Sequence, residues 1–148
     1  MVKKIKVLTA IGNENLNNVL KKQGDFEILE NDIFYKEGIL EFLEKNNDVD
    51  ILILYENLAG EINIINLINK IKIINNEINI FCILENKNDV LENLLKNENI
   101  KNIFYINEIN INDFVEKIKN SKINNNEKLI EEINLLKSII NKKDEELV

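Results

Sequence analysis

Short apolar runs alternate five times with segments whose apolar residues recur every three or four positions, and this alternation constrains the fold most strongly. DILILY at Asp50–Tyr55 is a continuous apolar run, as in a strand covered on both faces. Leu16, Val19 and Leu20 instead share one face of a helix. Because helices separate the strands, we expect an α/β fold with a parallel sheet and right-handed crossovers.

The predicted elements give a three-layer sandwich with helices on both faces of the sheet. Asn88 and Asn110 are predicted N-caps of the last two helices. The predicted strands are Lys4–Leu8, Phe26–Leu29, Asp50–Tyr55, Ile78–Leu84 and Ile103–Ile106. The first three predicted helices are Asn13–Leu20, Lys36–Lys45 and Glu61–Asn75. Periodicity alone does not fix the order of the strands in the sheet.

The C-terminal residues form a separate amphipathic segment. We divide the chain into a domain at 1–120, a polar linker at 121–126 and a helix at 127–148. The helix can pack back on the domain or pair with another chain, and we favour self-association as a homodimer. Its apolar stripe has the a/d spacing of a coiled coil and consists of Leu129, Ile133, Leu136, Ile140 and Leu147.

Composition excludes several kinds of chemistry. The 148 residues include one Cys and no His or Arg, which rules out a disulfide within the chain, a His-containing zinc site and a Ser-His-Asp triad. The net charge of −7 argues against nucleic acid as a partner. No apolar run approaches the roughly 20 residues of a membrane span. We therefore expect a cytoplasmic protein without a cofactor, in which Cys82 is a small core residue.

The order and lengths of these elements resemble the response-regulator receiver domain over about residues 3–120. DILILYENLAG at 50–60 is similar to the third strand and following loop of a receiver, and NDFVEKIKN at 112–120 is similar to its last helix. The resemblance implies a flavodoxin-like sheet of order 2-1-3-4-5. It also implies that the surface around Phe104 and Tyr105 can dimerise or bind targets, as that surface often does in receivers.

The positions that carry receiver chemistry are occupied by other residue types. The acidic pair that holds Mg²⁺ falls on Thr9 and Ala10, and the phosphoacceptor Asp falls on Tyr55. The hydroxyl residue after strand four falls on Leu84, and the lysine after strand five falls on Asn107. Phosphoryl transfer to a carboxylate needs that carboxylate, a bound metal and a cation. We therefore expect a pseudo-receiver that is not an enzyme.

A narrower resemblance concerns the first 62 residues. The stretch from Val7 to Glu44, followed by DILILYENLAGEI, is similar to the N-terminal domain of ParA/MinD-type ATPases of the pilus-localisation or conjugative-element kind. The chain contains no Walker A phosphate-binding loop. The resemblance therefore implies a free-standing relative or a fragment of such a protein, with a ParA/MinD-type ATPase as a possible partner.

One candidate site lies where the strands end. Glu56, Glu85 and Glu108 each follow a predicted strand, so three carboxylates could share the edge of the sheet at which such folds bind ligands. They could bind a divalent cation or a cationic ligand, or they could be solvated loop side chains. The leading hypothesis is a non-catalytic module that dimerises or docks to a partner. The alternative is a small-ligand or divalent-cation binding protein or enzyme that uses this crevice.

Overall fold

The computed structural model describes residues 4–29 and 32–121, which form one parallel sheet between two layers of helices. The strand order is β2-β1-β3-β4-β5, so the order implied by the receiver resemblance is confirmed. The strands are β1 Ile5–Ala10, β2 Phe26–Leu29, β3 Ile51–Tyr55, β4 Asn79–Leu84 and β5 Asn102–Tyr105. The helices are α1 Glu14–Lys21, α2 Lys36–Lys45, α3 Ile64–Ile74, α4 Asp89–Asn97 and α5 at 111–121.

Burial of the strands follows from their positions in the sheet. β3 and β4 lie inside the sheet, and nearly all of their residues are buried on one face or the other. This explains their continuous apolar sequences. β5 lies at an edge, and each of its four residues is only partly buried.

Asparagine side chains define the beginnings of four helices. Asn13, Asn63, Asn88 and Asn110 each accept a hydrogen bond, at 2.8–3.2 Å, from the backbone N–H three residues later. Each bond satisfies a donor that the first turn of a helix leaves without a partner. The predicted caps at Asn88 and Asn110 are confirmed. The cap at Asn63 explains why α3 begins three residues later than predicted.

The two faces of the sheet carry separate cores. α2, α3 and α4 pack on one face, where Cys82 is fully buried, so its predicted place in the core is confirmed. Burial raises the pKa of the Cys82 thiol to about 12. α1 and α5 cover the other face, where Phe81, Phe104 and Phe114 form edge-on or tilted ring pairs with centroids 4.9–6.1 Å apart.

Besides the start of α3, the end of β1 and the start of the linker differ from their predicted positions, and one predicted element cannot be compared. β1 continues through Ala10, two residues beyond its predicted end. Residue 121, the first of the predicted linker, belongs to α5. The predicted helix at 127–148, with its self-association stripe, lies outside the described residues. Among the helices that are described, none has the length and apolar character needed to cross a membrane.

Candidate functional site

The carboxyl ends of the five strands form one edge of the molecule, which we call the strand-end rim. In a sheet of this order, ligands bind at this edge, at the point between β1 and β3 where the order of the strands reverses. We divide the rim into two halves. The β1–β3 half contains residues 9–13, 32–37 and 55–62. The β4–β5 half contains residues 84–92 and 105–110.

In the β1–β3 half, residues 32–37 form a crossing segment that runs over the end of β1. The Ile33 N–H donates to the carbonyl of Thr9, near the end of β1, at 2.9 Å. The Lys36 N–H donates to the Ala59 carbonyl at 2.7 Å, in the loop after β3. Because β1 lies between β2 and β3, the segment passes across the carboxyl end of β1 to reach that loop.

Asp32, at the start of the crossing segment, binds the loop after β1. Its carboxylate accepts from the Ile11 N–H at 3.0 Å and from the Gly12 N–H at 2.7 Å. Gly12 has φ +67, a left-handed conformation that costs glycine little. Hydrogen bonds to a charged acceptor are the stronger kind. The amide pair after β1 is therefore bound by a carboxylate of the chain itself.

Glu37, at the other end of the segment, binds the loop after β3 in the same way. Its carboxylate accepts from the N–H groups of Glu61 and Ile62 at 3.0 and 3.3 Å. Hydrogen bonds from its own backbone N–H and from that of Ile62 lower the pKa of Glu37. Gly60 has φ +132, and a Cβ atom at this position would collide with the Glu37 carboxylate. The backbone conformation therefore favours glycine there, and any added side chain would have to displace the Glu37 carboxylate.

Sequence reasoning missed Asp32 and Glu37. The available signal was one acidic residue shortly after a short strand and another in the first turn of the next helix. Their partners lie 20 to 25 residues away in the sequence. Local periodicity carries no information on contacts of that range.

The receiver positions named from the sequence lie at the rim but differ in burial. Thr9 and Ala10 are the last two residues of β1, and Thr9 is only 1% exposed. Leu84 ends β4 and is fully buried, whereas Asn107 lies in the turn after β5 and is exposed. Thr9 and Ala10 do not fit the Mg²⁺ site that the receiver resemblance implies, because they carry no carboxylate and are buried.

Tyr55 ends β3 beside two of the predicted rim carboxylates. Burial raises the pKa of the half-buried Tyr55 phenol most strongly. The negative charges of Glu85 and Glu56 raise this pKa further. The Glu56 carboxylate accepts from the Glu85 N–H at 3.0 Å, and Glu85 accepts from the Asn57 side chain. Glu56 and Glu85 thus join the loops after β3 and β4, as neighbouring parallel strand ends allow.

Glu108, the third predicted carboxylate, belongs to an open cavity in the β4–β5 half. This cavity has a volume of about 380 Å³, and Glu56 is not part of its lining. Tyr105 donates through its hydroxyl to Glu92, and this hydrogen bond raises the pKa of Tyr105. Within residues 4–29 and 32–121, no three acidic or Cys side chains come together as a metal site. The charged and phenolic residues that line this open cavity are Glu85, Lys87, Asp89, Glu92, Tyr105 and Glu108.

Comparisons with solved structures identify the fold. A CheY-like receiver domain protein from Methanospirillum hungatei JF-1 aligns with TM-score 0.69 and 15% identity, over 85% of this chain and 98% of its own. A DNA-binding response regulator of the LuxR family from Staphylococcus aureus aligns with TM-score 0.68 and 18% identity, over 78% and 97%. The receiver domain of the NarL response regulator from Mycobacterium tuberculosis gives 0.68 and 10%, over 80% and 96%.

The sequence itself gives no corresponding match. No protein-family model and no curated protein matches it. Identities of 10–18% show a shared fold and not a shared activity. The sheet order, the two helix layers and these alignments together show that the chain has the CheY-like receiver fold.

Proposed function

We propose that the chain is a non-catalytic, receiver-like module that regulates or positions a protein partner by binding it. The observation that supports this most directly is the side chain at the end of β3. Tyr55 offers a half-buried phenol there, where a phosphoacceptor would need a carboxylate. A scaffold of this kind retains its surfaces for binding when it lacks the groups for phosphoryl transfer.

Two kinds of partner fit this proposal, a second copy of the chain and a ParA/MinD-type ATPase. Apolar side chains exposed to water support the presence of a protein interface. Val90 is 71% exposed on α4, Leu94 lies one turn later, and Ile111 begins α5. The predicted stripe at 129–147 is a further apolar surface, outside the described residues. The ATPase comes from the sequence resemblance alone.

Light scattering after size-exclusion chromatography tests self-association. We expect the full chain to have the mass of a dimer and a variant truncated after residue 126 to have the mass of a monomer. If the full chain and the truncated variant are both monomers, the homodimer proposal is overturned. Binding to a ParA/MinD-type ATPase would then be tested in a separate binding assay.

Mass spectrometry after incubation with acetyl phosphate and Mg²⁺ tests the absence of phosphotransfer. We expect no added phosphoryl group on the wild-type chain. We also expect none on Tyr55→Asp, because Thr9 and Ala10 supply no metal ligand beside the new carboxylate. A phosphorylated wild-type chain would overturn the non-catalytic proposal.

A second candidate function rests on the cavity of the β4–β5 half. Its lining brings four carboxylates, a lysine and a phenol around about 380 Å³, a setting that favours a small cationic ligand. A divalent cation would have to draw the carboxylates together, since no three of them form a metal site in the described residues. Calorimetric titration with Mg²⁺ and Ca²⁺ tests whether the cavity binds a divalent cation. Heat of binding that is lost in Glu108→Gln supports this candidate, and the lack of any heat overturns the cation form of it.

A further inference from the structure

A second concave surface lies between the crossing segment and α2, and we call it the Phe34 groove. Its volume is about 330 Å³, and its apolar lining comes from Ile33, Phe34, Tyr35 and Phe42. Phe34 is 70% exposed and Tyr35 is 45% exposed. They are the only two consecutive residues among the exposed large apolar side chains of the described part of the chain. Adjacent exposed aromatic side chains are typical of binding surfaces.

The backbone that presents Phe34 is fixed on both sides. Asp32 and Glu37, at the two ends of the crossing segment, each accept from two backbone amides. Tyr35 lies over Gly38 of α2, where an added Cβ would be 3.1 Å from its ring, and its hydroxyl donates to Glu41 at 3.1 Å. The segment is therefore held in place before any partner arrives. Such preorganisation lowers the entropic cost of binding.

The charge around the groove selects the kind of partner. The groove lining carries Asp32, Glu41 and Lys45, a net charge of −1, and the crossing segment and α2 together carry four carboxylates and two lysines, a net charge of −2. A second copy bound through the same patch by two-fold symmetry would place two negative surfaces against each other. A partner with lysine or arginine beside an apolar side chain would complement both the apolar floor and the charge.

We infer that the Phe34 groove is a docking site for a cationic amphipathic helix of a protein partner, with Phe34 as the main contact. This inference rests on the proposed function only in that the chain acts by binding a protein. We expect Phe34 to contribute most of the binding energy. A few interface residues usually carry most of that energy, and aromatic residues are frequent among them. The carboxylates around the groove attract the cationic face and make binding weaker at high salt.

The test uses the full chain and a synthetic amphipathic helical peptide of leucine and lysine as the probe. Amide chemical-shift changes on titration with the peptide locate the site and give Kd. We expect the shifts at residues 32–46, and we expect Phe34→Ala to weaken binding about tenfold or more. Ile73→Ala is the matched control, because Ile73 is 84% exposed on α3 outside the groove and its loss should leave Kd unchanged.

Each other outcome overturns the inference in a recognisable way. Shifts at α4 and β5, equal effects of the two variants, or no binding at all would each exclude this site for such a helix. Equal binding of a leucine–glutamate peptide would exclude the charge selection. Self-association of the wild-type chain that Phe34→Ala abolishes would assign the groove to a second copy. None of these results decides whether the chain binds proteins elsewhere, so the proposed function is tested separately by its own experiments.

Discussion

The two halves of the strand-end rim use their carboxylates differently. In the β1–β3 half, Asp32 and Glu37 accept hydrogen bonds from two backbone amides each and hold the crossing segment over the end of β1. In the β4–β5 half, Glu85 and Glu92 accept from side chains, and Glu108 is exposed and its side chain makes no hydrogen bond to any described residue. The position where this fold ordinarily binds ligands is thus occupied by the chain itself, and the open space lies further along the sheet.

Gly60→Ala should disturb the β1–β3 half most. Alanine resists φ +132, and its Cβ would collide with the Glu37 carboxylate, so the variant strains the loop and displaces Glu37. We expect a loss of about 1–3 kcal/mol in the free energy of unfolding, measured by urea denaturation. Gly24→Ala is the control, because nothing lies within 4 Å of the added Cβ. An equal loss in both variants would contradict the role of Gly60.

Asp32→Ala should have the next largest effect. It leaves the Ile11 and Gly12 amides without their acceptor, although both can recover some hydrogen bonding from water. We expect a loss of about 1–2 kcal/mol in the free energy of unfolding. Glu108→Ala, in the other half, should change it by no more than about 0.5 kcal/mol. If the two substitutions cost the same, the contrast between the halves is wrong.

The sequence predicts the parts of this comparison that depend on local pattern. DILILY indicates the buried strand β3, and Asn88 and Asn110 indicate where α4 and α5 begin. Such features depend on residues within a few positions of one another. The order of the strands came only from the resemblance to receivers, because periodicity reports which face is buried and not which strand is adjacent.

The crossing segment could not be predicted in this way. Asp32 and Glu37 bind loops that are distant in the sequence, and either residue alone looks like a solvated loop or first-turn carboxylate. The sequence predicts that β1 ends at Leu8, so Thr9 and Ala10 fall beyond the predicted strand. In the structure they continue the ladder with β3, pairing with Ile53 and Leu54.

A smaller effect is expected in the β4–β5 half from Glu108→Lys. Glu108 shares its cavity with Glu85, Asp89 and Glu92, so replacing it with a cation exchanges repulsion for attraction. We expect a gain of about 0.5 kcal/mol or less in the free energy of unfolding at low salt. The gain should fall in high salt, because Glu85, Asp89 and Glu108 are exposed. A loss of stability at low salt would show that Glu108 has a structural role.

The smallest effect concerns the charge of Glu37, and it appears only as a dependence on pH. The folded pKa of Glu37 is lower than its ordinary value of 4.5, so its ionisation stabilises the fold fully above that pH. The stabilisation is lost as the pH falls through the lower folded pKa. Glu37→Gln keeps an amide oxygen that can accept from Glu61 and Ile62 but carries no charge.

The urea midpoints of wild type and Glu37→Gln should therefore differ near pH 7 and converge below pH 4.5. A difference that stays constant with pH would mean that the shape of the side chain, and not its charge, holds the loop after β3. Convergence would show that the Glu37 end of the crossing segment depends on an anionic acceptor. The β1–β3 half would then weaken in acid through the protonation of Glu37, whose carboxylate accepts from the loop after β3.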